Sequence, residues 1–457
     1  MDTIAAIATA QKPSAVGIVR ISGSDTEKIL SAVFTPASGM PSESMLPRRM
    51  VYGTICDANG GVLDHGLAVR FSKQHSYTGE DSAELHCHGS PVVLNEVLQA
   101  CFAAGARQAK AGEFTKRAFI NGKMDLTEAE AVIDLIDAET AEAAHNAVLQ
   151  MDGALRRLID KSYDSLLEIT SRFYAVVDYP DEDIEELTRE KTEWALTETE
   201  TALSRLLATY SRGRLLKSGA ATAMIGAPNA GKSSLLNALV GYDRAIVTDI
   251  AGTTRDTVEE KCVVGGVLLR LIDTAGIRET DDTVERIGVE RSRLAVEQAD
   301  LVLALIDGSE PFSPEDLDTL DLASECGKPW ILVQTKGDLP QRKQELLLSG
   351  ALAPRTVVSL SAKTGEGIEL LEKSVAEVFP SGEAPDGTLL TNARQADAAQ
   401  RALACVKAAK DALISGMTPD VVLTEAEEAM AALGEMTGRT AREDMVARIF
   451  ERFCVGK

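Results

Sequence analysis

The octapeptide Gly226-Ala-Pro-Asn-Ala-Gly-Lys232-Ser233 limits the fold of this chain more than any other stretch. It fits G-x-x-x-x-G-K-[ST], a glycine-rich loop whose backbone N–H groups and lysine surround nucleotide phosphates between a strand and a helix. Such a loop demands an α/β surround, and residues 217–379 offer one. Apolar runs at 222–225, 267–272, 301–306, 330–334 and 357–359 alternate with helical stretches. That alternation predicts a doubly wound parallel sheet. The loop lies mid-chain, so nucleotide binding is one module among several.

Four further elements follow in the order expected of a GTPase. Thr253-Thr254-Arg255-Asp256 offers a hydroxyl, on Thr254, that can complete a Mg²⁺ shell beside Ser233, because Mg²⁺ takes octahedral oxygen ligands. Asp273-Thr-Ala-Gly276 ends an apolar strand; Asp273 can orient the metal through water, and the Gly276 N–H can approach a γ-phosphate. Thr335-Lys336-Gly337-Asp338 ends the next but one, and the Asp338 carboxylate can accept from guanine N1–H and its amino group. Ser361-Ala362-Lys363 is expected to hold guanine O6 through a backbone N–H. Adenine has an acceptor where guanine has N1–H, so Asp338 selects GTP. The expected nucleotide contacts are Asn229, Ala230, Gly231, Lys232, Ser233 and Ser234, with Thr254, Asp273, Gly276, Thr335, Lys336, Asp338, Ser361, Ala362 and Lys363. Thr335 stands where the base motif usually carries Asn; its hydroxyl still makes one bond, and affinity is the property it puts in question.

Ras-like enzymes orient the attacking water with a glutamine just after D-x-x-G. Here that position is Ile277, which cannot bond water. Arg278, Glu279 and Glu285 follow in a charged stretch, and a carboxylate acting through a bridging water is one replacement. The Asn229 side-chain oxygen, with carbonyls from 248–253, could bind a monovalent cation that offsets charge between the β- and γ-phosphates. The plainer alternative makes Asn229 a turn residue and Glu285 the solvated start of a helix.

The flanks differ in texture. At 457 residues the chain has room for about three domains. Residues 1–118 mix β-branched runs at 15–21 and 66–71 with Pro/Gly/Ser-rich loops around 35–47 and a helical stretch at 91–104, which predicts a small α+β domain. From about 124 to 216 Ala, Leu, Glu and Arg predict helices, broken by the acidic turn 178–183. Residues 379–387 read as a linker, and the remainder returns to Ala-rich helices. No apolar run reaches the ~18 residues of a membrane span, and the N-terminus lacks the pattern of a signal peptide. Seven cysteines without C-x-x-C spacing read as reduced thiols of a cytosolic protein. A net charge of −23 opposes binding nucleic acid through an overall field. Any such partner must meet a local basic patch or be delivered by a more basic protein. In His86-Cys87-His88 alternate strand positions put both imidazoles on one face; without further ligands at sensible spacing, packing is the expected role.

Motifs outside the nucleotide module carry a resemblance. They are Asp2-Thr-Ile-Ala-Ala, Val16-Gly-Ile-Val-Arg-Ile-Ser-Gly23, Tyr77-Thr-Gly-Glu-Asp81, Gly112-Glu-Phe-Thr-Lys-Arg-Ala-Phe119, Asn121-Gly-Lys-Met-Asp-Leu126 and Arg452-Phe-Cys454-Val-Gly-Lys457. With the GTPase module they make the chain resemble the MnmE (TrmE) family of tRNA-modification GTPases over essentially its full length. The resemblance implies a multidomain chain: a folate-binding-like, dimerising α+β domain (1–118), a discontinuous helical domain (119–216 and 380–457) and an inserted Ras-like α/β GTPase domain (217–379). It implies a formyl-tetrahydrofolate donor, with Arg20, Glu84, Lys123 and Lys457 as contacts. A guanidinium and an ammonium suit glutamyl carboxylates, and Glu84 suits a donor-rich pterin edge. It implies a homodimer, potassium-dependent hydrolysis with Asn229, Thr248, Ile250 and Thr253 as potassium ligands, and a catalytic Glu285. It also implies a flavin-dependent partner, tRNA as substrate, modification at C5 of the wobble uridine, and a part for Cys454 in that chemistry. The acidic balance fits if the partner carries the basic surface. The competing expectation is a regulatory GTPase of ribosome assembly, which calls for a basic RNA-binding module; a folate-dependent methyltransferase with a vestigial GTPase is opposed by the intact phosphate loop.

Overall fold

A computed structural model of the chain describes residues 2–178, 188–242, 260–272, 285–342, 356–380, 386–440, 443–451 and 453–456. They divide into two compact units. The first comprises residues 1–133, 148–204 and 397–457; the second comprises 134–147 and 205–396. The chain thus leaves the first unit after Ser204 and rejoins it at Asp397.

The first unit begins with seven strands: β1 (Ile4–Ile7), β2 (Ser14–Ser22), β3 (Phe34–Pro36), β4 (Val51–Cys56), β5 (Val62–Phe71), β6 (Ser82–Gly89) and β7 (Arg107–Gln108). They form a sheet in the order β3-β4-β5-β6-β2-β1-β7. The pairings are antiparallel except β1 with β7. The α+β texture expected here is therefore present, though the β-branched runs announced only β2 and β5. One face carries Val19, Ile21, Ala83, Leu85 and Cys87, closed over by the helices Thr26–Val33 and Pro91–Ala103 through Ile29, Leu30, Leu94 and Val97. Side chains alternate along a strand, so Arg20, Glu84 and His86 fall on the other face.

Two of the motifs that carry the resemblance prove to be structural fastenings. Arg117, with a side chain 5% exposed, donates to the Asp2 carbonyl (2.8 Å), Glu80 (2.9 Å) and Glu113 (3.0 Å). Arg107 grips Asp2 and Glu113, so the start of β1 is pinned by charge. Asp125 begins the helix Leu126–Ile136 with a reciprocal cap: its Oδ1 accepts from the Glu128 N–H (2.8 Å), and Glu128 Oε2 accepts from the Asp125 N–H (2.7 Å). Further helices of this unit, Ala154–Asp178, Arg189–Ala208, Ala393–Ile414 and Pro419–Thr437, are joined by Tyr174 to Glu427 (2.8 Å) and Lys410 to Glu200 (2.8 Å).

Two carboxyls of this unit pull on stability in opposite directions with pH. Burial opposes ionisation of Glu113, but bonds from Arg107, the Lys110 N–H and Arg117 win and hold its pKa at about 2. Its contribution is full above the unfolded value of 4.5 and is lost as pH falls toward 2. Asp125 is pushed up from 3.8 to about 6 by burial, so the folded state favours its proton, and that contribution is lost as pH rises through 6. Thermal midpoints followed between about pH 6 and pH 3 should flatten at the acid end in Glu113→Gln and at the upper end in Asp125→Asn.

The second unit holds β8 (Ala220–Gly226), β9 (Glu260–Val264), β10 (Val267–Ile272), β11 (Leu301–Asp307), β12 (Trp330–Thr335) and β13 (Val357–Ser359), in the order β13-β12-β11-β8-β10-β9. All neighbours are parallel except β9 and β10. The sheet is parallel as expected apart from one edge, where Gly265 and Gly266, both with positive φ, turn the chain into an antiparallel hairpin that was not anticipated. Along β11 Leu301, Leu303 and Leu305 face the helices Lys232–Tyr242 and Ile368–Val378, while Val302, Ala304 and Ile306 face Glu285–Gln298 and Pro314–Glu325. A core on each face is the signature of a doubly wound sheet. Residues 134–147 belong here too, held by Lys217 to Asp134 (2.6 Å), Arg212 to Glu142 (2.6 Å) and Lys261 to Glu139 (2.5 Å).

Candidate nucleotide-binding site

The phosphate loop joins β8 to the helix Lys232–Tyr242 at the centre of the sheet, where β8 lies between β10 and β11. Asn229 (φ 64°) and Gly231 (φ 93°) are both left-handed, which bends successive N–H groups toward one concavity. Asn tolerates that region; a side chain at Gly231 would be strained and would press on Thr335 at 3.2 Å. The helix that follows aims its free N–H groups and positive dipole end the same way. Lys232 donates to the carbonyls of Gly226 (2.6 Å) and Ala227 (2.8 Å), and burial lowers its pKa. Ala230 is buried, and Asn229, Ser233 and Ser234 are exposed.

The base-side elements converge on the ends of β12 and β13. Thr335 is 2% exposed, and its hydroxyl faces the carbonyls of Ala230 (2.8 Å) and Ile306 (3.1 Å). The bond expected of that hydroxyl is made inside the protein. The hydroxyl that replaces the usual Asn amide is used within the protein, tying the base loop to the phosphate loop across 105 positions of sequence. Thr335→Val keeps the volume and removes the bond, leaving the buried Ala230 carbonyl without it. Stability should fall by about 1–3 kcal/mol, with a parallel loss of nucleotide affinity; thermal melting with and without nucleotide reads both.

Lys336 is left-handed (φ 57°), and its ammonium pairs with Asp307 at 2.5 Å. Although burial opposes it, that bond and those from Ser309 hold Asp307 below the usual carboxylate range. Asp338 is exposed, and the Ser361 hydroxyl donates to its Oδ1 at 2.8 Å. The Ser361 N–H is taken by the Glu366 carbonyl (2.9 Å); of its neighbours, Ala362 is half-buried and Lys363 exposed. Sequence reasoning missed Asp307 and the Ser361 hydroxyl. Asp307-Gly-Ser309 signals a turn at a strand end but not the pairing with Lys336.

Thr248, Ile250, Thr253, Thr254, Asp273, Gly276 and Lys457 lie outside the described residues, as do Ile277, Arg278, Glu279 and most of the turn 178–183. Glu285 is the first residue of its helix, and its side chain is outside them too.

In the first unit Arg20 and Glu84 are direct cross-strand partners bonded at 2.9 Å. Arg20 also lies 5.8 Å from the Tyr77 ring and 5.7 Å from that of Phe114. Lys123 is exposed and donates to the Gln74 carbonyl at 2.6 Å. Cys454 is an exposed thiol whose carbonyl accepts from the Gly112 N–H (3.3 Å), and Val455 bridges Ala111. At Gly456 (φ 103°) a Cβ would collide with the Ile7 carbonyl. His88 pairs with Asp64 at 2.8 Å, His86 Nε2 lies 3.4 Å from Glu84, and no cluster of metal-ligating side chains occurs among the described residues. No described helix is long and apolar enough to cross a membrane.

Comparison with known proteins covers nearly the whole chain. The family model described as the GTP-binding protein TrmE N-terminus matches residues 3–123, and that of the MnmE helical domain matches residues 126–454. A tRNA modification GTPase MnmE of Symbiobacterium thermophilum is 43% identical over 460 residues, covering 100% of this chain and 99% of the relative. One of Roseiflexus sp. is 44% identical over 467 residues, with the same coverage. Likeness at that level, over the phosphate loop and both flanking regions at once, means that this chain belongs to the MnmE (TrmE) family of tRNA-modification GTPases.

Proposed function

We propose that this chain is a potassium-dependent GTPase that, with a flavin-dependent partner protein, modifies C5 of the wobble uridine of certain tRNAs. The group added is aminomethyl or carboxymethylaminomethyl, and a folate supplies the one-carbon unit. The observation that carries the reading is the full-length likeness to tRNA modification GTPases, over the nucleotide site and both flanks.

In this reading the loop amides and Lys232 bind the phosphates, and the exposed Asp338 carboxylate, oriented by Ser361, selects guanine. Ser233 and Thr254 offer Mg²⁺ the hydroxyls it takes. Asn229, exposed in its left-handed turn, offers potassium an oxygen, with Thr248, Ile250 and Thr253 completing the set. Bound there, the cations supply positive charge where the transition state gathers negative charge. Glu285 orients water in place of the missing glutamine.

The N-terminal region is read as a folate-binding-like and dimerising domain, with Arg20, Glu84, Lys123 and Lys457 as the residues that contact the folate. Cys454 serves the modification, residues 217–379 are an inserted GTPase domain, and the protein is cytoplasmic. GTP turnover of the native chain and of Glu285→Ala, in potassium and in sodium, tests the mechanism. Equal rates in the two salts, or full turnover in the variant, reject it. Unmodified wobble uridine in cells lacking the gene is expected; normal wobble uridine beside defective ribosome assembly returns the reading to a regulatory switch.

A further inference from the structure

The loop after β12 spends its hydrogen-bond donors on the protein. Thr335 has one hydroxyl proton, shared between the carbonyls of Ala230 (2.8 Å) and Ile306 (3.1 Å). The Gly337 N–H donates to the Leu360 carbonyl (2.9 Å), and the Leu339 N–H to that of Lys336 (3.0 Å). Gln341 Nε2 donates to the carbonyls of Lys336 (2.9 Å) and Leu339 (3.0 Å). The Lys336 ammonium is drawn to Asp307 (2.5 Å). What this loop holds out to a ligand is an acceptor, the exposed Asp338 carboxylate.

Guanine asks for more than acceptors. Its N1–H and amino group donate, but O6 and N7 both accept. Asp338 answers the two donors, and O6 is expected at the backbone of 361–363. N7, beside O6 on the far edge from N1, needs a further donor. An Asn amide at position 335 would have two N–H groups, one for the Ala230 carbonyl and one to spare. Thr335 has none to spare, and its lone pairs cannot bond an atom that also only accepts. We infer that Thr335 is a specificity-determining residue that leaves N7 unread. The site thus admits guanine nucleotides altered at that atom as readily as GTP. This rests on the reading of Asp338 above and deepens it.

The test compares GTP with 7-deaza-GTP, in which a C–H replaces N7. Each competes with a fluorescent GTP analogue on the full chain. Native protein should bind the two within about twofold of each other. Thr335→Asn restores the second N–H, so its preference for GTP over 7-deaza-GTP should rise about tenfold, a change of about 1.4 kcal/mol. Thr335→Ser, which keeps a single hydroxyl, should behave as native. A native preference for GTP of about tenfold overturns the inference, as does a native ratio in Thr335→Asn. If Asp338→Asn still prefers GTP to xanthosine triphosphate, the base reading fails and takes the inference with it. If that variant switches bases while the native chain rejects 7-deaza-GTP, the inference alone fails. Thermal melting of each variant confirms that a folded chain was titrated.

Discussion

Lys232→Ala should weaken GTP binding by roughly a hundredfold to ten-thousandfold and bring turnover below detection. The ammonium is held against the loop by the carbonyls of Gly226 and Ala227, at 2.6 and 2.8 Å, where burial already disfavours its charge. A phosphate oxygen is a far better partner than a neutral carbonyl, so phosphate binding restores to the lysine what burial removes. Each charge-assisted bond is worth about 1.5–3 kcal/mol, and one lysine can serve two phosphates. The loop itself should survive, since its bend is fixed by Asn229, Gly231 and the Thr335 hydroxyl. Equilibrium binding of a fluorescent GTP analogue, with a melting curve as control, separates lost contact from lost fold. Native affinity in the variant would sink the assignment of this loop.

Asp338→Asn should exchange one base for another. A carboxylate presents acceptors only, whereas an amide replaces one of them with an N–H donor. Guanine's paired N–H donors then face a donor of the same kind, and the loss should reach roughly a hundredfold to ten-thousandfold, as for sites built to bond a group that is no longer matched. Xanthine, which carries a carbonyl where guanine has its amino group, should gain by a comparable factor. The Ser361 hydroxyl that now donates to Asp338 Oδ1 can donate to the amide oxygen as well, so the side chain should keep its orientation. Turnover of GTP and of xanthosine triphosphate by the variant gives the answer; undiminished preference for GTP would mean that Asp338 does not read the base.

The parts of this molecule legible in its sequence are those whose signal is local. The central strands announced themselves as unbroken apolar runs because both faces are covered, and the phosphate loop because its backbone geometry needs glycine and lysine at fixed steps. The edge hairpin of β9 and β10 was missed: Glu260 and Lys261 broke the apolar run of the first strand, so Gly265-Gly266 was not read as its turn. What sequence could not give is pairing at a distance. Thr335 reads as a weakened Asn until its hydroxyl is found on the Ala230 carbonyl. Glu113 and Arg117 are a motif on paper, and only folding shows that Arg117 ties Glu113 to Asp2. His86 looks like half of a histidine pair, whereas the sheet gives His88 to Asp64 and leaves His86 beside Glu84.

The bridge between Val455 and Ala111, with Gly456 packed on Ile7, has a consequence for the order of biosynthesis. Strands made early wait on residues made long after them, while everything between Arg205 and Ala396 can collapse in the interval. Long-range closure of this kind is slow, because chain entropy is surrendered before contact repays it. A nascent chain stalled once Ala396 has cleared the ribosome should therefore hold a folded nucleotide-binding unit while the first unit still lacks its closing segment, and that intermediate is where chaperones would be needed.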